Sequence, residues 1–223
     1  MTIKQRTFED RHRHKGLRQK LVDSLREKGI KDESVLTAMN NIPRHFFLDT
    51  AFDDIAYEDR AFPIAEGQTI SQPYTVAFQT ELLRVKPREK ILEIGTGSIY
   101  QASVLAEMGA YVFTIERQKV LYDQTKDFVL RSKYPHLKFF YGDGFQGLPA
   151  FAPFDKVIIT AGAPNIPEKL LAQMKPGGIM VIPLNEDDKQ RMIRITKLPD
   201  GGMEEEAFQQ FSFVPMLTGK SGG

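Results

Sequence analysis

The chain divides into two parts by its pattern of apolar positions. In the first part, apolar residues recur every three or four positions over Leu17–Leu25, and Gly29 ends the pattern. A second short helix is predicted to start after Asp32, a suitable N-cap, and to end before Pro43. We therefore expect residues 1–48 to form a helical N-terminal extension.

Residues 49–72 lack a regular period. The segment is longer than an ordinary connection, and long irregular segments in compact domains are usually functional or disordered. Aromatic and aliphatic residues such as Phe52, Tyr57 and Ile64 argue against disorder. We therefore expect a substrate or active-site loop here, followed by a helix from Pro73, because proline suits the first helical position.

After Pro87 the pattern changes to short apolar runs that are separated by helical segments. Such near-continuous runs suit a parallel sheet that helices cover on both faces. We predict strands at 90–94, 111–115, 137–140, 156–160 and 178–182, with helices that run through Leu105, through Leu130 and around Leu170.

Two later segments, 191–197 and 208–214, alternate apolar and polar residues and predict an antiparallel pair joined by a Pro-Asp-Gly-Gly turn. The predicted fold is therefore α/β, with a doubly wound, mostly parallel seven-stranded sheet over residues 73–217. Beyond this core we expect residues 218–223 to form a frayed, disordered tail. The whole chain is then a single domain.

Composition and charge exclude several kinds of function. A net charge of +1 over 223 residues gives no electrostatic support for a nucleic-acid partner. The absence of cysteine excludes disulfides, cysteine-ligated zinc and thiol nucleophiles, and the dispersed His12, His14 and His136 indicate no metal site. No apolar run approaches the roughly 20 residues of a membrane span, and no signal peptide is evident, so we expect a cytoplasmic protein without membrane contact.

Three candidate ligand-binding features follow successive predicted strands. Gly95 and Gly97 form a turn in which missing side chains let the backbone approach a ligand. Glu116 lies 21 residues after Gly95, the spacing of a carboxylate that accepts hydrogen bonds from ribose hydroxyls. Asp143 lies between two glycines and is placed to accept from an adenine amino group. A tight turn, a helix cap and an Asx turn would explain each alone, but their joint placement favours a nucleoside site.

The residues around the turn narrow the choice of nucleoside cofactor. Tyr100 stands where a dinucleotide fingerprint requires glycine, which disfavours NAD and FAD, and the chain has no GxxxxGK[ST] loop. The segment Glu93–Gly97, EIGTG, instead resembles motif I of class I S-adenosylmethionine-dependent methyltransferases. The predicted sheet is then Rossmann-like, with the helical extension at its N-terminus.

Further motifs make the resemblance more specific. They are IPRHF at 42–46, GQTISQPY at 67–74, TELL at 80–83, LEIGTGS at 92–98, YQA at 100–102, TIER at 114–117, GDG at 142–144, APFD at 152–155 and FVPML at 213–217. With these motifs the chain is similar to the protein-L-isoaspartate O-methyltransferase family from about Arg18 to Leu217. The GQTISQP run is the most diagnostic of them.

The resemblance implies transfer of a methyl group from S-adenosylmethionine to the free carboxylate of isoaspartyl residues in damaged proteins and peptides. S-adenosylhomocysteine would be the other product, and the methyl ester would begin repair through a succinimide. The family match implies that Ser71 donates a hydrogen bond that orients the carboxylate. The structural alternative for Ser71 is an N-cap of the helix from Pro73. A monomer is expected.

The remaining site residues also follow from the resemblance. Val214 and Pro215 would contact the substrate backbone, although an edge strand ending at a proline explains them equally well. The expected substrate-binding residues are Ile64, Ser71, Gln72, Val214 and Pro215. The expected cofactor-binding residues are Gln68, Thr69, Glu93, Gly95, Thr96, Gly97, Ser98, Glu116, Arg117, Gly142, Asp143, Gly144 and Thr160.

Ile99 departs from the family pattern, in which a glycine normally stands at this position. A β-branched residue is poorly suited to positive φ. Three outcomes are open: the loop is rearranged, Ile99 points away from the cofactor, or cofactor binding is weakened, in which case Ile99→Gly would tighten it.

Two other functions also stay open, namely methylation of another acceptor such as a small molecule or RNA, and a catalytically weakened binding protein.

Overall fold

The computed structural model describes residues 8–222, so the predictions for residues 1–7 and for Gly223 lie outside the described residues. Apart from the fifth helix, the helices begin and end close to the predicted positions. Asp32 caps the second helix by accepting a hydrogen bond from Ser34 N (2.9 Å), and Pro73 is the first residue of the third. The helices are α1 (His12–Glu27), α2 (Glu33–Asn41), α3 (Pro73–Leu83), α4 (Tyr100–Glu107), α5 (Lys119–Gln124) and α6 (Glu168–Ala172).

Seven strands form one sheet in the order β5-β4-β3-β6-β7-β8-β9, and β1 pairs with β2 in a separate hairpin. Neighbouring strands from β5 to β7 are parallel, whereas β8 and β9 are antiparallel to their neighbours. This arrangement confirms the predicted doubly wound, mostly parallel sheet. The strands are β1 (Phe62–Pro63), β2 (Thr69–Ile70), β3 (Lys90–Ile94), β4 (Tyr111–Glu116), β5 (Leu137–Tyr141), β6 (Phe154–Ile159), β7 (Met174–Glu186), β8 (Lys189–Lys197) and β9 (Met203–Phe211).

The central strand β3 separates the two halves of the sheet. The chain passes from β3 to β4 and β5 on one side, and then to β6 and β7 on the other. Side chains alternate between the faces: Ile91 and Ile158 pack with Leu105 of α4, while Leu92 packs in the cluster that contains Leu170 of α6. A crevice for a ligand therefore lies at the carboxyl end of β3, where the strand order reverses.

Several predicted elements have different bounds in the structure. The strand predicted at 178–182, for example, extends over Met174–Glu186 as β7. The helix predicted through Leu130 ends at Gln124 and continues only as a 3₁₀ turn to Asp127, because residues 128–134 form hydrogen-bonded turns instead. The last strand ends at Phe211 and not at residue 214. Beyond it the chain leaves β8 and pairs with Gly162, whose N–H donates to the Val214 carbonyl at 2.8 Å.

The segment 49–72 and the C-terminal tail are more regular than predicted. The segment contains 3₁₀ turns and the β1–β2 hairpin. The tail was expected to be disordered, but its described part is held against the start of α5: Lys119 N donates to Ser221 O (3.0 Å), and Ser221 N donates to Arg117 O (2.8 Å). Backbone pairing therefore orders the tail, which a composition of glycine, lysine and serine does not predict.

Candidate active site

A pocket lies at the carboxyl ends of β3, β4 and β6, with about 840 Å³ of empty space that is partly open to solvent. Its walls are the turn after β3, residues 68–71 and residues 214–217. Of the predicted site residues, the pocket brings together Gln68, Thr69, Ser71, Gly95, Thr96, Gly97, Ser98, Glu116, Arg117, Gly144, Thr160, Val214 and Pro215.

The turn after β3 needs glycine for two reasons. Gly95 has φ +98°, and a Cβ at this position would lie 2.6 Å from Thr160 Oγ1. The Thr160 hydroxyl lies within hydrogen-bond distance of the carbonyl oxygens of Ile94 (3.0 Å) and Gly95 (2.8 Å), so it cannot move without losing them. The close approach of β3 and β6 therefore leaves no space for a side chain at residue 95.

Glu116 fixes the shape of this turn from the neighbouring strand. One carboxylate oxygen accepts a hydrogen bond from Gly97 N (2.9 Å), and the other accepts from Gln118 N (2.8 Å). The carboxylate is largely buried but still lines the pocket. Since each oxygen has a further lone pair, it can hold the turn and also accept from a ligand hydroxyl.

Ile99 retains the left-handed conformation that glycine would adopt, with φ +71°. The backbone of the loop is otherwise regular, since Ile99 N donates to Thr96 O at 2.8 Å and Ser103 N donates to Ile99 O at 2.9 Å. The side chain is 7% exposed, packs in the apolar cluster with Leu105 and does not line the pocket. The side chain therefore points away from the pocket, which is the second outcome, and its effect on cofactor affinity stays a prediction.

Glu93 was predicted to bind cofactor, but it does not line the pocket. It shares a sheet face with Ile91, which packs under α3 and α4, and it is fully buried there. Neither carboxylate oxygen has a hydrogen-bond partner among residues 8–222. Burial raises the pKa of Glu93 to about 8, the Thr114 hydroxyl opposes this shift, and the Glu116 carboxylate adds to it.

The GDG segment after β5 contributes only one pocket residue. Gly144 lines the pocket, and a Cβ there would lie 2.4 Å from Ile94 Cγ2. Asp143 and Gly142 do not line it, and their cofactor contact stays a prediction. Asp143 Oδ1 instead accepts a hydrogen bond from Phe145 N (2.9 Å), because Asp143 caps a 3₁₀ turn. This is the Asx turn that the sequence left open as the structural explanation of Asp143.

Ser71 lies where this pocket meets a second groove, which Gln72, Tyr74, Phe213 and Val214 also line. The N-cap of α3 is Gln72, so Ser71 does not cap the helix as the alternative interpretation required. The Ser71 hydroxyl makes no hydrogen bond within the described part of the chain. It is therefore available to a ligand at the junction.

Arg44, from the IPRHF motif, holds the segment that carries Ser71. Its guanidinium is fully buried and donates to the carbonyl oxygens of Ala56, Arg60 (3.3 Å) and Ser71 (3.1 Å). Burial lowers its pKa to about 10, so it stays charged at neutral pH. Sequence reasoning missed this role, because the bonds join residues that are far apart in the chain.

The C-terminal segment closes one side of the pocket. Met216 N donates to Gly162 O (2.7 Å), which holds Pro215 and Met216 in the pocket wall. Arg117 donates to the carbonyl oxygens of Thr218 (3.3 Å) and Gly219 (3.1 Å). Arg117 therefore orders the wall as well as lining it.

Two expected substrate residues lie beside the main pocket. Ile64 lines a neighbouring cleft with Phe47, Phe52 and Phe128, while Gln72 lines the groove beyond Ser71. Sequence reasoning also missed some pocket residues, although Tyr100 and Gln101 follow the glycine turn directly and lay within a quoted motif. The missed residues are Val76, Ile94, Tyr100, Gln101, Ile115, Gln118, Ala161, Met216 and Leu217.

Asp10, His14 and His45 lie together in the N-terminal layer, with potential metal-ligand atoms within 4.8 Å of one another. The sequence predicted no metal site, and these histidines are far apart in the chain. Both Asp10 oxygens accept from Arg18 (3.0 Å each), and His45 Nδ1 lies 2.7 Å from the Tyr57 hydroxyl. Burial lowers the pKa of His45. The side chains are thus already bonded within the protein.

Within residues 8–222 we find no helix whose length and apolar character would allow it to cross a membrane. The sheet order, the glycine turn and Glu116 together define a Rossmann-like class I methyltransferase. The chain belongs to the protein-L-isoaspartate(D-aspartate) O-methyltransferase family, whose model matches residues 16–221. This confirms the predicted resemblance.

Relatives of known name support the assignment over nearly the full chain. A protein-L-isoaspartate O-methyltransferase of Cytophaga hutchinsonii is 55% identical over 215 residues, 96% of each chain. Another protein of the same name, from Christiangramia forsetii, is 51% identical over 214 residues, which are 96% of this chain and 100% of that protein. The similarity thus includes the pocket and the N-terminal layer.

Solved structures of the same enzyme share the fold. One protein-L-isoaspartate O-methyltransferase superposes with a TM-score of 0.80 at 28% identity, over 92% of this chain and 66% of that one. A Plasmodium falciparum protein of this description, solved in complex with S-adenosyl-L-homocysteine, has a TM-score of 0.78 at 25% identity, over 90% of this chain and 98% of its own.

Proposed function

We propose that this protein methylates the free carboxylate of isoaspartyl residues in damaged proteins and peptides, with Ser71 as the residue that orients the carboxylate. One observation carries the assignment of Ser71. Its hydroxyl lies at the junction of the cofactor pocket and a second groove, and it makes no hydrogen bond within residues 8–222. A hydroxyl in this position can contact both reactants.

The pocket fits S-adenosylmethionine by its own features. Glu116 offers acceptor lone pairs to the ribose hydroxyls, and Gly95 and Gly97 allow the backbone to approach the ligand. Gln68, Thr69, Ser98 and Thr160 line the same space, as do Arg117 and Gly144. When bound, the cofactor supplies a methyl group already activated by the sulfonium charge.

The protein's task is then alignment. A carboxylate is ionised at neutral pH, so no general base is needed to generate the nucleophile. The Ser71 hydroxyl donates a hydrogen bond to one carboxylate oxygen. The other oxygen stays free to attack the methyl group in line. A single neutral donor holds the carboxylate without suppressing its nucleophilicity as a bidentate arginine would. The pocket walls remove water from around the attacking oxygen.

The substrate backbone is proposed to lie along Val214 and Pro215. The Val214 carbonyl already accepts from Gly162 N, which fixes this segment as a rigid edge. Gln72 and Ile64 flank the junction in the adjoining groove and cleft. The proposal includes a monomer that acts in the cytoplasm and binds neither nucleic acid nor membrane, in keeping with a net charge of +1.

The test compares matched isoaspartyl and aspartyl peptides with labelled S-adenosylmethionine. We expect label only in the isoaspartyl peptide. Ser71→Ala should lower kcat about 100-fold with little change in S-adenosylhomocysteine affinity, by analogy with the loss of one positioning donor. Ser71→Thr retains the hydroxyl and should keep most of the activity. Equal labelling of both peptides would contradict the acceptor, and full activity of Ser71→Ala would contradict the role of Ser71.

A further inference from the structure

Gln101 is a buried polar residue of the pocket wall that has no part in the mechanism above. It lies in the first turn of α4, and its side chain is 7% exposed. Its Oε1 is buried and has no hydrogen-bond partner among residues 8–222. Because an unpaired buried amide oxygen is unfavourable, a donor from outside the chain is expected there.

The neighbouring hydrogen bonds fix which way the amide points. Gln101 Nε2 donates to Thr80 Oγ1 (2.9 Å), and Thr80 Oγ1 donates to Val76 O (2.7 Å). A threonine hydroxyl has one proton, which Val76 O takes, so Thr80 can only accept from Gln101. In this arrangement the Gln101 amide donates to Thr80 through Nε2, and its oxygen is the atom left for a ligand.

The position of Gln101 distinguishes among the donors of the cofactor. Those donors are the ribose hydroxyls, the adenine amino group and the α-ammonium group. Glu116 ends β4 and Gly144 follows β5, both on one side of β3. Gln101 lies on α4, which packs on that same side, but its amide is bonded to Thr80 of α3, which packs on β6 and β7, so the amide is directed from α4 toward the other side. If Glu116 holds the ribose, Gln101 lies toward the amino-acid end of the cofactor.

Glu93 adds a preference for a cationic donor. It faces α3 and α4 from β3, and both of its buried carboxyl oxygens are unpaired within the described chain. Burial raises the pKa of this group to about 8, so it is uncharged at neutral pH before the cofactor binds. A positive group bound at the pocket wall would favour the ionised form of Glu93, an effect that a neutral hydroxyl would not have.

We propose that Gln101 Oε1 accepts a hydrogen bond from the α-ammonium group of S-adenosylmethionine, so that Gln101 is a cofactor-binding residue selective for the amino-acid end. The inference rests on the proposed function only for the identity of the cofactor. It predicts that the affinity lost on removing the amide depends on the presence of the ammonium group.

The test measures binding of S-adenosylhomocysteine and of its deamino analogue, in which hydrogen replaces the ammonium group, by calorimetry. Gln101→Leu should weaken S-adenosylhomocysteine about 10-fold or more, the range of a hydrogen bond to a charged group. The same substitution should change the deamino analogue by less than about twofold, as expected for independent sites. Binding of the deamino analogue also shows that the variant is folded. If Gln101→Leu fails to fold, Gln101→Met replaces it in the same test.

Gln79→Leu is the matched control. Gln79 is a buried glutamine with an unpaired Oε1, but it bonds to Ile159 O (2.9 Å) and does not line the pocket. Gln79→Leu should leave the ratio of the affinities for S-adenosylhomocysteine and its deamino analogue unchanged. Equal weakening of both ligands by Gln101→Leu, or no weakening of either, would overturn the proposal. Failure of the unaltered protein to bind S-adenosylhomocysteine would instead contradict the methyltransferase function itself.

Discussion

The cofactor half and the acceptor half of the active site are held by different means. The turn at Gly95–Gly97 is held by backbone bonds to the adjacent strand and by the Glu116 carboxylate. The Ser71 segment is held by the side chain of Arg44, which reaches three carbonyl groups in residues 56–71. One half is thus an extension of the sheet, and the other depends strongly on one buried cation.

This difference means that the two halves can be damaged separately. A change at Arg44 should disorganise the acceptor side and leave the glycine turn with its backbone bonds. A change at Gly95 should disturb the turn and leave the Arg44 bonds in place. Substitutions at four positions test this separation, in decreasing order of expected effect.

Arg44→Met should have the largest effect. It leaves the carbonyls of Ala56, Arg60 and Ser71 without their donor, and we expect the free energy of unfolding to fall by about 4 kcal/mol. Urea denaturation measures this change. In conditions where the variant is folded, kcat/KM for an isoaspartyl peptide should fall much more than the affinity for S-adenosylhomocysteine.

Arg60→Met is the control in the same segment, because Arg60 forms an exposed ion pair with Glu58 (2.8 Å). It should change stability by no more than about 1 kcal/mol. Equal loss of cofactor affinity and peptide turnover in Arg44→Met would show that the halves are not separable.

Gly95→Ala should destabilise the protein by about 3 kcal/mol and abolish S-adenosylhomocysteine binding, because it combines a positive φ with overlap on Thr160. Gly177→Ala separates the two causes. Gly177 has φ +77° with nothing within 4 Å of a Cβ, so only the backbone cost of about 1 kcal/mol applies. Equal destabilisation by the two alanines would contradict the close approach of β3 and β6.

Glu93→Gln should alter the pH dependence of stability. The folded protein keeps the proton to about pH 8, whereas the unfolded chain loses it near 4.5, so folding stability falls as the pH rises between these values. The variant lacks this fall and should be more stable than the native sequence by about 2 kcal/mol at pH 6, with little difference at pH 4. Denaturant midpoints at both pH values measure it.

Glu205→Gln, on the exposed face of β9, should show no such pH-dependent difference. A native protein whose stability does not decline over this range would show that Glu93 is ionised when folded. The buried carboxylate would then need a cation that the described residues do not provide.

Ile99→Gly should have the smallest effect. It loses the buried side chain but relieves the left-handed strain, so we expect a net destabilisation of about 1 kcal/mol. Because the side chain faces away from the pocket, S-adenosylhomocysteine affinity should change by less than about threefold. This replaces the expectation of tighter binding.

Ile99→Ala is the informative comparison, because alanine loses the same burial yet keeps the strain. It should be less stable than Ile99→Gly by about 1 kcal/mol. An alanine variant as stable as the glycine variant would show that φ at this position relaxes.

The helices and the parallel strands were predictable because, in these elements, the local sequence pattern favours the same structure as the contacts between distant residues. Apolar runs predicted the strands of the parallel sheet, and Asp32 and Pro73 marked helix starts. Where a bond from a distant residue decides the path, prediction failed. The strand predicted to residue 214 ends at Phe211, because the chain beyond it pairs with Gly162 and no longer with β8. The tail is ordered because Ser221 pairs with Lys119.

The sequence by itself determined the fold class, the family and the glycine turn, because these depend on order and spacing along the chain. Tertiary structure alone decided that Ile99 points into the core, that Glu93 and Asp143 stay outside the pocket and that Gln101 enters its wall. Which face a side chain takes, and whether its polar atoms find partners, depends on residues tens of positions away. Packing therefore decides which members of the motifs line the pocket.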